Sequence, residues 1–204
     1  MSLASKLASV LAIAGMVFLL LSLVLPWFQL GLDGDLGILG RYRIDTRFEI
    51  SEYSSRVYVN GALSSNSSGL YAGSPYDPVG DVMKTELVWL SVSIACTAVF
   101  AVAGLLSRKT LRLVLGTLAL AFCIVALVYF PIAMPDAVNE SQANMYGSSE
   151  VLTIRGFWGS EDVSIFHVTW GPSVSWFLVL ISTLLVIFAV VLGIISRSDS
   201  VGRN

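Results

Sequence analysis

The chain contains 204 residues, of which 55% are hydrophobic and only 13% are charged, and its formal net charge is −2. Soluble domains carry about 25% charged residues, so this composition excludes an ordinary soluble globular domain. The weakly negative net charge argues against nucleic-acid binding, and the length excludes a large enzyme with separate catalytic domains. The class that remains is a small integral membrane protein.

The first predicted element is a membrane-spanning helix over residues 6–30. Residues 7–32 contain no Asp, Glu, Lys or Arg, and about 20 apolar residues are enough for a helix to cross a hydrocarbon core roughly 30 Å thick. The apolar run is longer than that of a signal peptide, and Leu25-Pro26-Trp27-Phe28 is not a small-residue cleavage site. We therefore expect this helix to remain in the mature protein.

A first outer loop is predicted over residues 31–85, and it is too long to be a plain connector. In the segment 42–50, Tyr42, Ile44 and Phe48 alternate with charged residues. Alternation of this kind is typical of a β-strand with one buried face. The loop is therefore expected to contribute strands to a folded domain.

The rest of this outer loop contains a second strand and a long polar stretch. Residues 56–59 are rich in Val and Tyr and end at the turn signal Asn60-Gly61. Residues 61–80 are rich in Gly, Ser, Asn and Pro, which predicts a loop. The triplet Asn66-Ser67-Ser68 is a candidate glycosylation site, with chance occurrence as the alternative.

Two further membrane helices are predicted over residues 86–107 and 110–134, joined by a tight basic turn. Their interiors carry no Asp, Glu, Lys, Arg or His, which argues against a proton-coupled carrier, a pump or a voltage sensor. Cys96 and Cys123, the only cysteines, lie in these helices and are expected to be small packing residues. The outer loops therefore have no cysteines with which to form disulfides.

A second outer loop is predicted over residues 135–171 and is expected to form a β-hairpin. Its strands are predicted over 151–158 and 163–170, with a turn at 159–162. Asn139-Glu140-Ser141 in this loop is a second candidate glycosylation triplet. The hairpin and the strands of the first loop are expected to form one sheet.

The fourth helix is predicted over residues 172–197, because Pro172 suits the first turn of a helix. Residues 198–204 are predicted to form a cytoplasmic tail. The predicted fold is an all-α membrane protein, in which a four-helix transmembrane bundle carries a small extracellular antiparallel β-sheet built from the two outer loops.

Charge and tryptophan positions predict the orientation of the chain. The side with both termini holds six of the 12 basic residues and one of the 14 acidic residues, so it is predicted to be cytoplasmic, in a multi-pass plasma-membrane protein. These inner residues are Lys6, Arg108, Lys109, Arg112, Arg197, Arg203 and Asp199. Tryptophans favour the membrane interface, so those at the outer helix ends are predicted anchors. They are Trp27, Trp89, Trp170 and Trp176.

No pattern in the sequence indicates catalysis, and we predict that the protein is not an enzyme. The sequence contains no HExxH, GxSxG, P-loop or GxGxxG motif, and His167 is the only histidine. Acidic residues such as Asp33, Asp35 and Asp45 do not have the spacing of an EF-hand, so they are interpreted as a solvated surface. No catalytic residue, metal site or cofactor is expected.

Two groups of four-span proteins resemble this chain. The topology and Leu25-Pro26-Trp27 at the end of the first helix are similar to the claudin and peripheral-myelin-protein type, which implies an extracellular β-sheet on a left-handed bundle. The Gly-Leu-Trp segment and cysteine pair of the claudin first loop are missing here. Trp170-Gly171-Pro172 and Trp176 also resemble small prokaryotic, often archaeal, four-span proteins.

The leading functional hypothesis is an accessory, assembly or cell-surface interaction subunit that works through its outer sheet. Its expected partners are membrane lipid and other membrane or cell-surface subunits, in a homo- or hetero-oligomer and without nucleic acid. The candidate contact residues, for which membership of the sheet core or membrane belt is the alternative, are Tyr42, Phe48, Tyr58, Phe157 and Trp158.

Two other functions stay open at this point. The first is a channel or transport subunit whose pore forms on oligomerisation, with Arg41, Arg43 and Arg47, or the acidic residues beside them, lining a vestibule. The second is a membrane enzyme, which would need a metal or a lipid substrate bound among Asp33, Asp35 and Asp45.

Overall fold

The computed structural model describes residues 3–105, 109–146 and 153–201. Over those residues, 60% of the chain is helix and 25% is strand. The helices are α1 (Leu3–Ser22), α2 (Asp77–Leu105), α3 (Lys109–Tyr146) and α4 (Val174–Val201). The strands are β1 (Phe28–Asp35), β2 (Arg41–Phe48), β3 (Glu52–Val59), β4 (Ala62–Leu70), β5 (Gly159–Val163) and β6 (Phe166–Pro172). Four helices and an antiparallel sheet are thus confirmed, but the strand content makes the description all-α wrong.

All four helices are long and apolar enough to cross a membrane, as the sequence predicted. The qualifying segments are Leu3–Ser22, Asp77–Gly104, Thr110–Met145 and Val174–Ile195. Their exposed side chains are largely aliphatic, and a lipid-facing helix surface has this composition.

The chain divides into two compact units. The helical unit falls within Met1–Leu23, Leu87–Val128 and Phe177–Asn204, and the sheet unit comprises Val24–Glu86 and Tyr129–Trp176. Helices α2, α3 and α4 each contribute residues to both units.

Small residues allow the helices of the helical unit to approach closely. Ala12 of α1 packs in one apolar core with Phe100 of α2 and Ala119 of α3. The Ser182 hydroxyl of α4 donates to the Gly15 carbonyl of α1 at 2.8 Å. In a membrane, moving apolar surface from lipid into a helix contact gives no hydrophobic stabilisation. Close packing and hydrogen bonds between the helices are then the main sources of association. These small residues therefore serve contacts within the chain.

The sheet unit is built on one antiparallel sheet with strand order β4-β3-β2-β1-β6-β5. Phe28 lies opposite Phe48, while Asp33 lies opposite Arg43 on one side and His167 on the other. Because successive side chains of a strand point to opposite faces, the Phe28 face is apolar and the Asp33 face is charged. The sheet therefore has a core face and a polar face.

An aromatic cluster fills the core of the sheet unit. The Phe157 ring lies 5.8 Å from the ring of Phe28, 5.6 Å from Phe130 and 5.5 Å from Trp176. The ring of Trp27 meets Phe130 edge to face at 5.1 Å. Aromatic pairs in these geometries add about 0.5–1.5 kcal/mol beyond the burial of their area.

Two strands lie where the sequence predicted other structure. Strand β1 replaces the predicted end of the first helix, because Trp27 leaves the helical path and its N–H donates to the Phe48 carbonyl at 2.8 Å. Strand β4 replaces part of the loop predicted over 61–80. Its Ser-rich residues have low strand propensity, and pairing with β3 along its whole length holds them extended.

The hairpin of the second loop exists, but its predicted register is wrong. Residues 151–152 lie outside the described residues, and 153–158 are irregular. Strand β5 begins at Gly159, where a turn was predicted, and the turn lies at Ser164-Ile165. A Cβ on Gly159 would lie 2.7 Å from the Trp170 ring, so this ring lies directly against the backbone at the start of β5.

Several helix boundaries also differ from the prediction. Helix α2 begins at Asp77 instead of residue 86, because Asp77-Pro78 is a helix-start signal that lies outside the apolar run. Helix α3 passes through Pro131 and Pro135 to Tyr146 instead of ending at 134. Helix α4 covers Val174–Val201 and so includes the first residues of the predicted tail, whose last residues, 202–204, lie outside the described residues.

Candidate functional site

Three tight connections meet at one end of the sheet, which we call the turn end. They join β1 to β2 through a short 3-10 turn at Gly37–Leu39, β3 to β4 through Asn60-Gly61, and β5 to β6 through Ser164-Ile165. The three pairs are neighbours or next neighbours in the sheet, so their turns lie side by side. Loops held by a rigid sheet are a common location for binding residues.

The Asn60-Gly61 turn is fixed by hydrogen bonds to the start of β2. Asn60 adopts a left-handed conformation with φ of 53°, and its N–H donates to the Arg41 carbonyl at 2.8 Å. The Asn60 side-chain oxygen accepts from the Arg41 N–H at 2.9 Å. Asn tolerates this conformation better than other residues with a side chain, which explains the Asn-Gly signal. Arg41 is thereby held at the turn end.

A bidentate ion pair lies at the centre of the turn end. The guanidinium of Arg41 donates to the two carboxylate oxygens of Asp33 at 2.9 and 2.7 Å. These hydrogen bonds hold the pKa of Asp33 below its ordinary value and raise the pKa of Arg41. Arg41 is exposed and Asp33 is half-buried at the surface, so the pair contributes orientation more than stability.

A second ion pair lies beside the first on the polar face of the sheet. Arg43 donates to Asp45 at 3.0 Å, and this bond raises the pKa of Arg43. The two pairs line an open cleft of about 410 Å³. The cleft is lined by Asp33, Arg41, Arg43, Asp45, Tyr58 and Gly61.

A second open cleft of about 600 Å³ shares Asp33 and Arg41 with the first. Its far wall is the β5–β6 hairpin, where His167 Nδ1 lies 2.6 Å from an Asp162 carboxylate oxygen. Within the part of the chain described here, no group of three or more His, Cys, Asp or Glu residues could hold a metal ion. The carboxylates of Asp33 and Asp45 are instead engaged by guanidinium groups.

Two apolar side chains project from the turn end. Ile38, in the β1–β2 connection, is fully exposed at 106% of its reference area, and Ile165, in the β5–β6 turn, is 53% exposed. Neither residue was predicted as a contact from the sequence. A β-branched apolar residue between Gly37 and Gly40, in a turn that needs no apolar side chain, is the signal that could have identified Ile38.

The five predicted contact residues do not form one surface. Phe48 is fully buried, and Phe157 belongs to the aromatic cluster, so neither ring is a free contact. Tyr42 and Tyr58 are half-buried on opposite faces of the sheet, and only Tyr58 lines a cleft at the turn end. Trp158 is 71% exposed. The two phenylalanines therefore belong to the core of the sheet unit, which was the alternative given for them from the sequence.

Two of the four predicted interface tryptophans are buried inside the sheet unit. Trp27 has no exposed area and packs against Phe130, and Trp170 is 6% exposed. A buried ring cannot reach a lipid headgroup, so the prediction of an interface anchor is wrong for these two residues. Trp89 and Trp176 are half-buried and keep part of their surface exposed.

The two glycosylation triplets have different environments. Asn66 is exposed on β4. Asn139 lies inside α3, where its amide donates to the Ile154 carbonyl at 3.0 Å and accepts from the Ile154 N–H at 2.7 Å. Because a glycan is attached through the amide nitrogen, Asn139 as placed is not an available acceptor.

Two charged residues are buried in helices that were predicted to have uncharged interiors. Glu86 has no exposed area, and neither of its carboxylate oxygens has a hydrogen-bond partner among the described residues. It is internal because α2 begins upstream at Asp77. Arg112 of α3 is 4% exposed and donates to the Ser5 hydroxyl at 2.7 Å, with its guanidinium 4.8 Å from the Phe100 ring centre. Glu86 thus differs from Arg112 in lacking a partner.

Comparison with known proteins does not place this chain in a family. No family model matches it, and no curated protein matches it at a significant level. The likeness to claudins and to prokaryotic four-span proteins therefore stays a prediction.

Proposed function

We propose that the protein is a non-catalytic, four-span membrane protein whose sheet lies outside the cell and recognises another membrane or cell-surface protein. The four apolar helices support membrane insertion. The distribution of Lys and Arg along the sequence supports cytoplasmic termini and an outer sheet. In this role the protein acts as an accessory or assembly subunit.

The observation that carries the proposal is the pair of exposed isoleucines at the turn end. Ile38 lies on the connection between β1 and β2, the strands that carry the Asp33–Arg41 ion pair, and Ile165 lines the cleft that contains this pair. Interfaces commonly combine apolar anchors with a polar surround that is already hydrogen-bonded. The expected partner surface is an apolar pocket with uncharged polar groups at its edge, because the charges of the turn end largely neutralise one another.

Co-purification from the native host in mild detergent tests this proposal. A variant carrying Ile38→Asp and Ile165→Asp is expected to lose a companion chain that the native protein retains. Leu70→Asp is the matched control, because Leu70 is 68% exposed in the same sheet and lies at the opposite end of β4. Purification of the native protein without a companion, or unchanged companions in the double variant, would overturn the proposal.

A channel or transport subunit is the second candidate function, and buried Glu86 favours it. An ionisable group without a partner inside a membrane helix is expensive, and such groups commonly belong to ion or proton pathways. In this alternative the pore forms on oligomerisation. Purified protein in liposomes would then conduct ions or protons, and Glu86→Gln would reduce that flux. Liposomes without flux would exclude this alternative.

A further inference from the structure

The two edges of the sheet differ in length and chemistry. Strand β4 forms one edge and is nine residues long, and strand β5 forms the other and is five residues long. In β4, all residues except Gly69 are exposed, so no other part of the described chain covers this edge. Edge strands leave alternate backbone N–H and C=O groups without partners in the sheet.

The common devices that block an edge from pairing are nearly missing from β4. Its sequence, ALSSNSSGL, contains no Lys, no other charged residue and no Pro. One irregularity in register lies near its start, opposite Val57 and Tyr58 of β3, and the ladder from Ser65 to Leu70 is regular. Long, uncharged and regular edges are the ones that natural sheets use for pairing with another chain.

Strand β5 carries the protection that β4 does not have. It is short, and exposed Glu161 and Asp162 occupy two of its positions. Two copies paired along β5 would bring four carboxylates together, which is unfavourable. Pairing of β4 with β4 brings no like charges into contact along the edge.

We infer that β4 is a self-association edge, and that its partner is the β4 strand of a second copy of this chain. Leu63 and Leu70 lie near the two ends of β4, and the small uncharged side chains between them offer no charge pattern that would select a different protein. They leave the main chain accessible, and an identical strand satisfies its N–H and C=O groups. A symmetric β4–β4 contact closes with two copies, whereas head-to-tail β4–β5 contacts would form a ring of several copies or an open chain.

Site-directed crosslinking of the purified full-length protein tests this pairing. In either strand direction, residues near the middle of two paired β4 strands lie within about 5–6 Å of each other. A Ser67→Cys variant treated with a short bismaleimide is therefore expected to form a covalent dimer. Ser160→Cys, at an exposed position of β5, is the matched control, and the native chain reports any reaction of its own two cysteines.

A charge introduced at the same edge gives a second measurement. Ser67→Lys is expected to weaken dimerisation at least about tenfold, because edge lysines block pairing, while Ser160→Lys leaves it unchanged. Dimerisation is measured by dilution of the protein in lipid nanodiscs, and the thermal midpoint of each variant reports folding. Equal crosslinking at positions 67 and 160, a native protein that is monomeric throughout, or unaltered dimerisation of Ser67→Lys would overturn the inference.

This edge and the turn end are separable in experiment. Ile38→Asp with Ile165→Asp is expected to leave dimerisation intact, and Ser67→Lys is expected to leave the companion chain bound. Failure of one proposal is thereby distinguished from failure of the other.

Discussion

At the scale of single residues, Glu86 is the position whose environment is least explained by packing. A buried polar group without a partner costs about 1–3 kcal/mol, and a larger cost applies when the group is charged. Neighbouring buried positions of α2, Met83 and Leu90, are apolar, so an apolar side chain is compatible with this part of the helix. With Glu at this position, the free energy of unfolding is expected to be lower than it would be with Leu.

Replacing Glu86 by Leu is therefore expected to stabilise the protein. The free energy of unfolding should rise by about 1–3 kcal/mol, because the unpartnered carboxyl is removed and apolar volume is kept. Thermal or denaturant unfolding in one detergent measures the change. Glu140→Leu, at an exposed position of α3, is the control and should stay within about 0.5 kcal/mol of the native chain. A Glu86→Leu protein that is less stable than the native chain would contradict this expectation.

The Asp33–Arg41 pair gives a prediction about pH. Because the hydrogen bond from Arg41 lowers the pKa of Asp33 from its ordinary value of 3.8, the folded chain binds the proton more weakly than the unfolded chain. The pair therefore stabilises the fold above that value, and the contribution is lost as the pH falls through the lowered pKa. The size of this contribution is small, since Arg41 is exposed and Asp33 is partly exposed to solvent.

The measurement compares the native chain with Asp33→Asn between pH 6 and pH 3. We expect the native chain to have a slightly higher unfolding midpoint above about pH 5 and the difference to shrink below about pH 4. Asp35→Asn is the control, because the Asp35 carboxylate accepts from the Gly37 N–H and forms no ion pair in the described residues. A difference in unfolding midpoint between the native chain and Asp33→Asn that is independent of pH would contradict the assignment of the lowered Asp33 pKa to Arg41.

At the scale of elements, the sequence was informative where apolar periodicity or a turn signal was strong. The four helices, strand β2 and the Asn60-Gly61 turn were predicted from such patterns. Strand β4 was not predictable, because its Ser-rich residues become a strand only through pairing with β3. Helix boundaries were missed because the length of an apolar run measures hydrophobic thickness and not helix length, as the first turns of α2 illustrate.

The shifted hairpin explains why the candidate site was only partly predicted. A register moved by several residues takes Phe157 out of a strand and into the aromatic cluster, and it places Ile165 in an exposed turn. The decisive contact is the fit of Gly159 against Trp170, which joins residues distant enough in sequence that no local pattern reports it. The arginines of the first loop were predicted as candidate site residues. Their carboxylate partners could not be predicted, because they depend on the register between strands.

The new position of the turn leads to a prediction with opposite signs at two serines. Ser164 adopts a left-handed conformation with φ of 58°, which costs a residue with a Cβ about 1 kcal/mol or more. Ser164→Gly should therefore raise the free energy of unfolding by up to about 1 kcal/mol. Ser160→Gly, inside β5, should lower it by about 0.5–1 kcal/mol. If the turn instead lay at 159–162, as the sequence alone predicted, Ser160→Gly would be tolerated and Ser164→Gly would be destabilising.

At the scale of the whole molecule, the distribution of charge gives the proposed orientation. Lys and Arg near the ends of membrane helices tend to stay in the cytoplasm, and the side that holds both termini carries a single acidic residue. Most acidic residues belong to the segments that form the sheet unit. An outer sheet and inner termini satisfy both observations.

Cysteine labelling in intact cells tests this orientation directly. Single cysteines replace Ile38 or Ser160 on the predicted outer side, and Lys6 or Thr110 on the predicted inner side; all four positions are exposed. A membrane-impermeant maleimide is expected to label the first two positions in intact cells and the other two only after permeabilisation. The native chain sets the background, because its two cysteines lie within α2 and α3. Labelling of Lys6→Cys in intact cells would show that the orientation is opposite to the predicted one. It would also overturn the proposal that the sheet meets partners outside the cell.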